Sequence, residues 1–260
     1  MPLFLSTKSG TRVFAHGKGT LLHYSPRALN VLFQDRVTTL LNKHGILSPS
    51  SIIAETEVFP KISYAEFSGN MLVTDKFQVL IGNPVTLHFD SRTKVDRFKL
   101  LNLIRPFLVI KERSIVTALL MLRGESCNAK GFERAVLNME CEVLRNSHDL
   151  NDTVEKLLGL GFGLTPSGDD FVAGIIAIMN LIGKSAVQFR TIIEAYDNPF
   201  SRTMLIDALE GHYSFPLYSL IRSIADDSVS ENDITNLLRV GHTSGYDTLA
   251  GIYYGLDRIS

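Results

Sequence analysis

Nowhere does the sequence stay apolar for long. Its longest such stretch, Phe171–Ile182, is about half of the roughly 20 residues that a bilayer-spanning helix needs. The opening Met1-Pro2-Leu3-Phe4-Leu5-Ser6 has no basic residue, and its apolar run is too short for a secretory signal. Both absences point away from a membrane and towards the cytoplasm. An excess of one charge is missing as well: net charge is −1, with Lys and Arg scattered along the chain. Non-specific nucleic-acid binding needs a basic footprint, so small molecules or protein partners are the better expectation. Cysteine is scarce. Cys127 and Cys141, if carried on one continuous helix, would stand about 21 Å apart by axial rise, far beyond disulfide reach. Two unpaired thiols are expected, and without histidines at ligand spacing they do not read as a zinc site. Walker A, the strand-linked dinucleotide fingerprint and HExxH are absent, which removes the commonest nucleotide and zinc-hydrolase readings.

Apolar residues make up 45% and charged residues 20% of the 260 positions, the balance of a folded chain and not of a disordered one. The pattern changes near residue 95. Before it, runs rich in branched and aromatic residues alternate with turn signals: Arg12–Ala15, Val37–Leu41, Ser51–Ala54, Tyr64–Phe67, Met71–Thr74, Phe77–Ile81 and Val85–Phe89. Asp75-Lys76 suggests a tight hairpin. Ser25–Phe33 reads as a short helix opened by Ser25-Pro26, and Gly17-Lys18-Gly19, between His16 and His23, as a glycine turn. After Asp96 the apolar spacing is helical, through Ile115–Leu122, Phe132–Leu144, Val154–Leu158, Phe171–Ile182, Thr203–Leu209, Leu217–Ile224, Ile234–Leu238 and Thr248–Leu256. Strands first and helices afterwards predict an α+β protein, with a β-rich part over 1–94 and an all-helical part over 95–260.

The most informative segment is Gly159-Leu160-Gly161-Phe162-Gly163-Leu164-Thr165-Pro166-Ser167-Gly168-Asp169-Asp170. Glycines at alternate positions let the backbone take positive φ and bring amides near a ligand. Thr165-Pro166-Ser167 and the acids after it are helix-start chemistry, and the helix that follows is apolar on all sides, hence buried. A weaker copy lies near the C-terminus. Aligning Ser167–Ile175 with Ser244–Ile252 matches six of nine positions, at an offset of 245 − 168 = 77 residues, which suggests an internal pseudo-repeat. Ser167 with Asp170, and Ser244 with Asp247, fit capping boxes. Gly174 and Gly251 sit inside helices, where glycine costs about 1 kcal/mol relative to alanine. Close crossing of the two helices, small face to small face, would offset that cost and bring both loops to one place.

Capping leaves Asp169 over. It is the candidate for holding a substrate amide or, with Asp170, a divalent cation, while the Gly161 and Gly163 amides hold an anionic group. A solvated first-turn aspartate is the plainer alternative. His242, at the equivalent of Thr165, is a candidate acid–base group or anion donor, and Arg202 a candidate for neutralising a carboxylate or phosphate. The remaining substrate-binding candidates are Thr165, Ser167, Gly168 and Ser244.

The string Gly-Leu-Thr-Pro-Ser-Gly-Asp-Asp and the later Gly-His-Thr-Ser-Gly-Tyr-Asp resemble the signature of a bacterial family long catalogued only as a domain of unknown function. One of its members is a subunit of oxamate carbamoyltransferase, which works in anaerobic allantoin breakdown and transfers carbamoyl between oxalurate and phosphate. The resemblance covers most of the chain. It implies a subunit of a carbamoyl- or acyl-transferring enzyme that acts on small anionic metabolites of the oxamate or oxalurate type, in purine-nitrogen catabolism, with partner subunits. Such chemistry needs donors that polarise a carbonyl, groups that hold phosphate and carboxylate, and exclusion of water. No nucleophile stands out in the loops, which suits direct transfer. A non-catalytic ligand-binding or scaffold subunit is the competing expectation.

Overall fold

The computed structural model describes residues 1–13, 16–90 and 92–258, which form two compact units. Residues Met1–His88 with His212–Phe215 make the first, and Phe89–Gly211 with Pro216–Ser260 the second. The protein is α+β, with strands leading and helices following.

The first unit holds β1 (Leu3–Gly10), β2 (Gly17–Ser25), β3 (Ala28–Phe33), β4 (Arg36–Leu41), β5 (Ser51–Ala54), β6 (Ala65–Ser68), β7 (Met71–Thr74), β8 (Gln78–Leu80) and β9 (Pro84–Val85). Their order is β5-β4-β3-β2-β6-β7-β8-β1-β9, and β5 also pairs with β1. That last pairing closes eight strands into a barrel, which removes the exposed sheet edges that invite aggregation. The register of β1 shifts between Ser6 and Lys8. Its first half pairs in parallel with β8, through Leu3–Leu5. Its second half pairs with β5 and β9. The interior is filled by alternate residues such as Leu29, Val31 and Phe33, together with Phe59, Phe67 and Phe77. Phe59 and Phe77 stack with ring centroids 5.5 Å apart.

Three expectations in this unit need correction. Ser25–Phe33 is not a helix: a two-residue turn joins β2 to β3, and Ala28 N–H donates to Ser25 Oγ across it at 3.0 Å. Gly17-Lys18-Gly19 is not a turn but the start of β2, paired with Ala65–Phe67. Gly19 is required there because a Cβ would lie 2.5 Å from Val31 Cγ1. In the expected strand Arg12–Ala15, Arg12 is in a turn, and residues 14 and 15 lie outside the described residues. The Asp75-Lys76 hairpin is present, closed by Thr74 N–H to Phe77 O at 2.9 Å. His88 forms an isolated bridge to His212 in place of a continued strand.

The second unit holds α1 (Arg97–Ile104), α2 (Ile115–Met121), α3 (Gly131–Asn146), α4 (Leu150–Leu157), α5 (Ser167–Leu181), α6 (Arg190–Glu194), α7 (Pro199–Leu209), α8 (Phe215–Ala225, from Pro216 on), α9 (Glu231–Leu238) and α10 (Ser244–Arg258). Among the described residues no helix is long and apolar enough to cross a membrane. Cys127 lies between α2 and α3 and Cys141 on α3, so no continuous helix joins them; both thiols are free.

The centre of this unit is the crossing of α5 and α10. A Cβ on Gly174 would lie 2.1 Å from Thr248 O, and one on Gly251 would lie 2.0 Å from Phe171 O. Thr248 is the repeat equivalent of Phe171 (171 + 77 = 248), so the contact is reciprocal. The lead-in helices repeat the relation: Gly168 seats on the carbonyl of Leu157 and Gly245 on that of Leu237, each 2.1 Å from the missing Cβ. The pseudo-repeat is therefore structural, a helix–loop–helix used twice. Its packing is backbone on backbone, which only glycine permits.

Candidate functional site

The loop before α5 carries Gly159, Gly161 and Gly163 at φ +81°, +122° and +104°, a region that side-chain-bearing residues rarely enter. Asp169 holds this loop. Its Oδ1 accepts from Gly159 N–H at 2.8 Å, and its Oδ2 accepts from Tyr196 Oη at 3.1 Å and Ser201 Oγ at 2.5 Å. Burial raises its pKa while these donors oppose the rise. Burial, then the neighbouring Asp169 charge, pushes Tyr196 up to about 12, so its proton stays in place as a donor. Arg202 Nη1 donates to Tyr196 O at 2.9 Å and secures the same corner.

Asp170 is the carboxylate that stands where the two loops meet. Thr165 Oγ1 donates to its Oδ2 at 3.1 Å, and the Ser244 side chain bonds it from the first residue of α10, just after the second loop. Burial drives its pKa to about 7, against those two hydroxyls and with a smaller push from Asp169. Asp247, its counterpart, reaches a third element. Ser114 Oγ donates to Asp247 Oδ1 at 2.5 Å and Ile115 N–H donates to the same oxygen at 2.9 Å, capping α2. Among the described residues its Oδ2 makes no hydrogen bond of normal geometry, although the Thr243 side chain lies near enough to favour the charged form. Burial holds its pKa far above the usual range, Ser114 opposes this, and Asp170 and Glu140 add to it. A buried carboxyl with an unsatisfied oxygen is far cheaper protonated than charged.

These contacts correct the capping boxes. The residue before α5 is Pro166, which offers no side-chain cap. Ser167 Oγ instead donates to Glu140 Oε1 at 2.9 Å, and both aspartates turn inward because burial of the crossing draws the helix starts away from solvent. The capping box among the described helices that does form is Ser230 with Asp233, at α9.

Beside this polar layer lies a cavity of about 340 Å³. Residues 110–114 form one wall and residues 127–130 another, α3 supplies Glu133, Val136, Leu137 and Glu140, and Phe162 projects from the glycine loop. Lys111, Arg113 and Lys130 bring positive charge, balanced by Glu112 and Glu133. Arg113 lies over the Phe162 ring at 5.6 Å, and Phe132 meets the same ring edge-on at 5.8 Å. Arg113 is also a non-glycine residue at φ +58°, with its N–H held by Glu133 Oε1 at 3.2 Å. Lys111 Nζ lies 5.1 Å over the ring of Tyr246, the residue that replaces Asp169 in the second repeat.

The residues singled out from the sequence fall into three groups. Thr165, Asp170 and Ser244 join the two loops, and Ser167 backs the cavity through Glu140. Asp169, Gly161, Gly163, Gly168 and Arg202 set the loop and its seat. His242 is exposed on the second loop. For the divalent cation, among the described residues no group of three or more His, Cys, Asp or Glu side chains is arranged to hold a metal ion. At Asp169 and Asp170 the carboxylate oxygens are taken up by hydrogen-bond donors, the Gly159 amide with the Tyr196 and Ser201 hydroxyls on one and the Thr165 and Ser244 hydroxyls on the other. Sequence reading missed Lys111, Arg113, Lys130, Phe162 and Glu140. Glu140 alone had a signal: it lies on the buried stripe of α3 with Val136, Leu137, Cys141 and Leu144, an acid where the helical period demands an apolar residue.

Residues 157–256 match a family model described as oxamate carbamoyltransferase subunit AllH. The match runs from the end of α4 to α10 and so contains both loops and both crossing helices. It supports the family assignment carried by the glycine–serine–aspartate signature. No solved structure matches the chain.

Proposed function

We propose that this chain is a carbamoyltransferase subunit whose helical unit binds a small carboxylate of the oxamate or oxalurate type, and works with partner subunits in the cytoplasm during purine-nitrogen catabolism. The observation that carries the reading is the cavity with Lys111, Arg113 and Lys130 on its walls and the family-matched glycine loop at its edge. A carboxylate and a phosphate both need cationic partners, and a guanidinium meets either with two parallel hydrogen bonds. Phe162 and the apolar face of α3 exclude water from the scissile bond, which strengthens every charge contact inside. Asp169 acts at one remove, holding Gly159 so that Phe162 is presented to the cavity.

Isothermal titration of the chain with oxamate and with oxalurate tests this, alongside a carbamoyl-phosphate assay of the assembled enzyme. The double variant Lys111→Ala with Arg113→Ala is expected to lose at least about tenfold in affinity, since a charged hydrogen bond is worth roughly 1.5–3 kcal/mol. Unchanged binding in that variant overturns the assignment of the cavity. Binding with no turnover in any assembly supports the scaffold reading.

A further inference from the structure

The carbamoyl-transfer reading leaves one group of the cavity unused. Glu140 is 3% exposed, lines the cavity, and among the described residues pairs with no cation. Ser167 of α5 bonds it, Asp247 of α10 and Cys141 of α3 lie within electrostatic reach of it, and Lys111, Glu112, Arg113, Cys127, Lys130 and Glu133 line the same cavity. A substrate anion in that cavity would compete for Lys111, Arg113 and Lys130. We infer that Glu140 is the proton-carrying catalytic residue of the cavity, giving a proton to the amide nitrogen that leaves when the carbamoyl group is transferred.

The inference rests on the reading above, and the balance of that reaction requires such a group. When hydrogen phosphate attacks the carbamoyl carbon of oxalurate, an O–C bond forms and the C–N bond to the oxamate nitrogen breaks. The departing nitrogen must gain one proton, and hydrogen phosphate must lose one to leave as the carbamoyl phosphate dianion. Glu140 passes that proton on: its carboxylic acid protonates the nitrogen, and the resulting carboxylate takes the proton of the phosphate. In the opposite direction its carboxylate removes the proton from the attacking amide. A carboxyl can serve both directions near neutrality only if its two forms are close in free energy there. Burial supplies this, raising Glu140 to about 7, with the Ser167 hydroxyl opposing.

The test uses the assembled enzyme and three variants. Glu140→Gln is expected to lower kcat by roughly two to four orders of magnitude, the usual worth of a general acid, with KM for oxalurate little changed. Glu140→Asp recovers part of the loss. Ser167→Ala removes the bond that favours the carboxylate, so the decline of kcat in the phosphorolytic direction moves to higher pH. That third variant keeps the idea testable if Glu140→Gln does not fold. The inference is overturned by a folded Glu140→Gln enzyme with parental kcat, or by a pH profile that Ser167→Ala leaves in place. Absence of carbamoyl transfer from the parent enzyme itself would instead remove the reading beneath it, and the two failures are distinct.

Discussion

Gly174 and Gly251 occupy equivalent positions and make the same contact in opposite directions, each seated on a carbonyl of the other helix. Alanine at either site would gain about 1 kcal/mol of helix propensity and lose more. The atoms in the way are main chain, so no rotamer change relieves the overlap, and overpacking of this kind costs roughly 1–3 kcal/mol or more. Gly174→Ala and Gly251→Ala are each expected to lower the midpoint of urea denaturation followed by circular dichroism. Parental stability in both would show that the helices tolerate separation.

Asp169→Asn keeps the size of the side chain but turns one acceptor oxygen into a donor facing Tyr196 and Ser201 or Gly159. The cost is expected to be on the order of 2–4 kcal/mol, from weakened bonds to charge and a mismatched donor. Hydrogen exchange at the Gly159 amide should accelerate together with the loss of stability. Tyr196→Phe, which removes one donor of three, is expected to cost about 1 kcal/mol. An unchanged Gly159 exchange rate in Asp169→Asn would mean that the loop is held by other contacts.

The buried acids set the pH dependence of stability. Glu140 and Asp170 rise to about 7 from ordinary values of 4.5 and 3.8, and Asp169 and Asp247 also rise. The folded chain thus binds protons that the unfolded chain has released. Their stabilising contribution is complete below the unfolded values and is lost as pH climbs through the folded ones. The free energy of unfolding is expected to fall between about pH 4 and pH 8, by a total on the order of a few kcal/mol, and the thermal midpoint to fall with it. Asp170→Asn should flatten the slope. An upward trend across that range, or an equal slope in the variant, counts against protonated acids at the crossing.

The helix crossing was legible because two kinds of signal coincided: serine and aspartate at both helix starts, and glycine at the same depth in each apolar stretch. The barrel was less so. Leu3 and Leu5 of β1 point outward, both more than half exposed, while Phe4 between them packs against the core. Leu3-Phe4-Leu5 thus shows no apolar–polar alternation in the sequence, and Gly19 reads as a turn residue until Val31 is known to fill its Cβ position. The cavity was hidden for a different reason. Its walls come from residues 110–114, 127–130 and α3, segments that carry no common motif and meet only through tertiary packing. The aspartates misled because a capping pattern and a buried hydroxyl–carboxyl network use the same residue types, and only burial distinguishes them.

A joint in which glycine presses on carbonyl has no side chain to flip and no alternative groove into which to slide. The α5–α10 pair will accordingly turn, if it turns at all, as one stiff piece. Strain applied to this unit can then be felt in the cavity only by bending the segments hung on that piece, above all the arm bearing Phe162 and the stretch bearing Lys111 and Arg113.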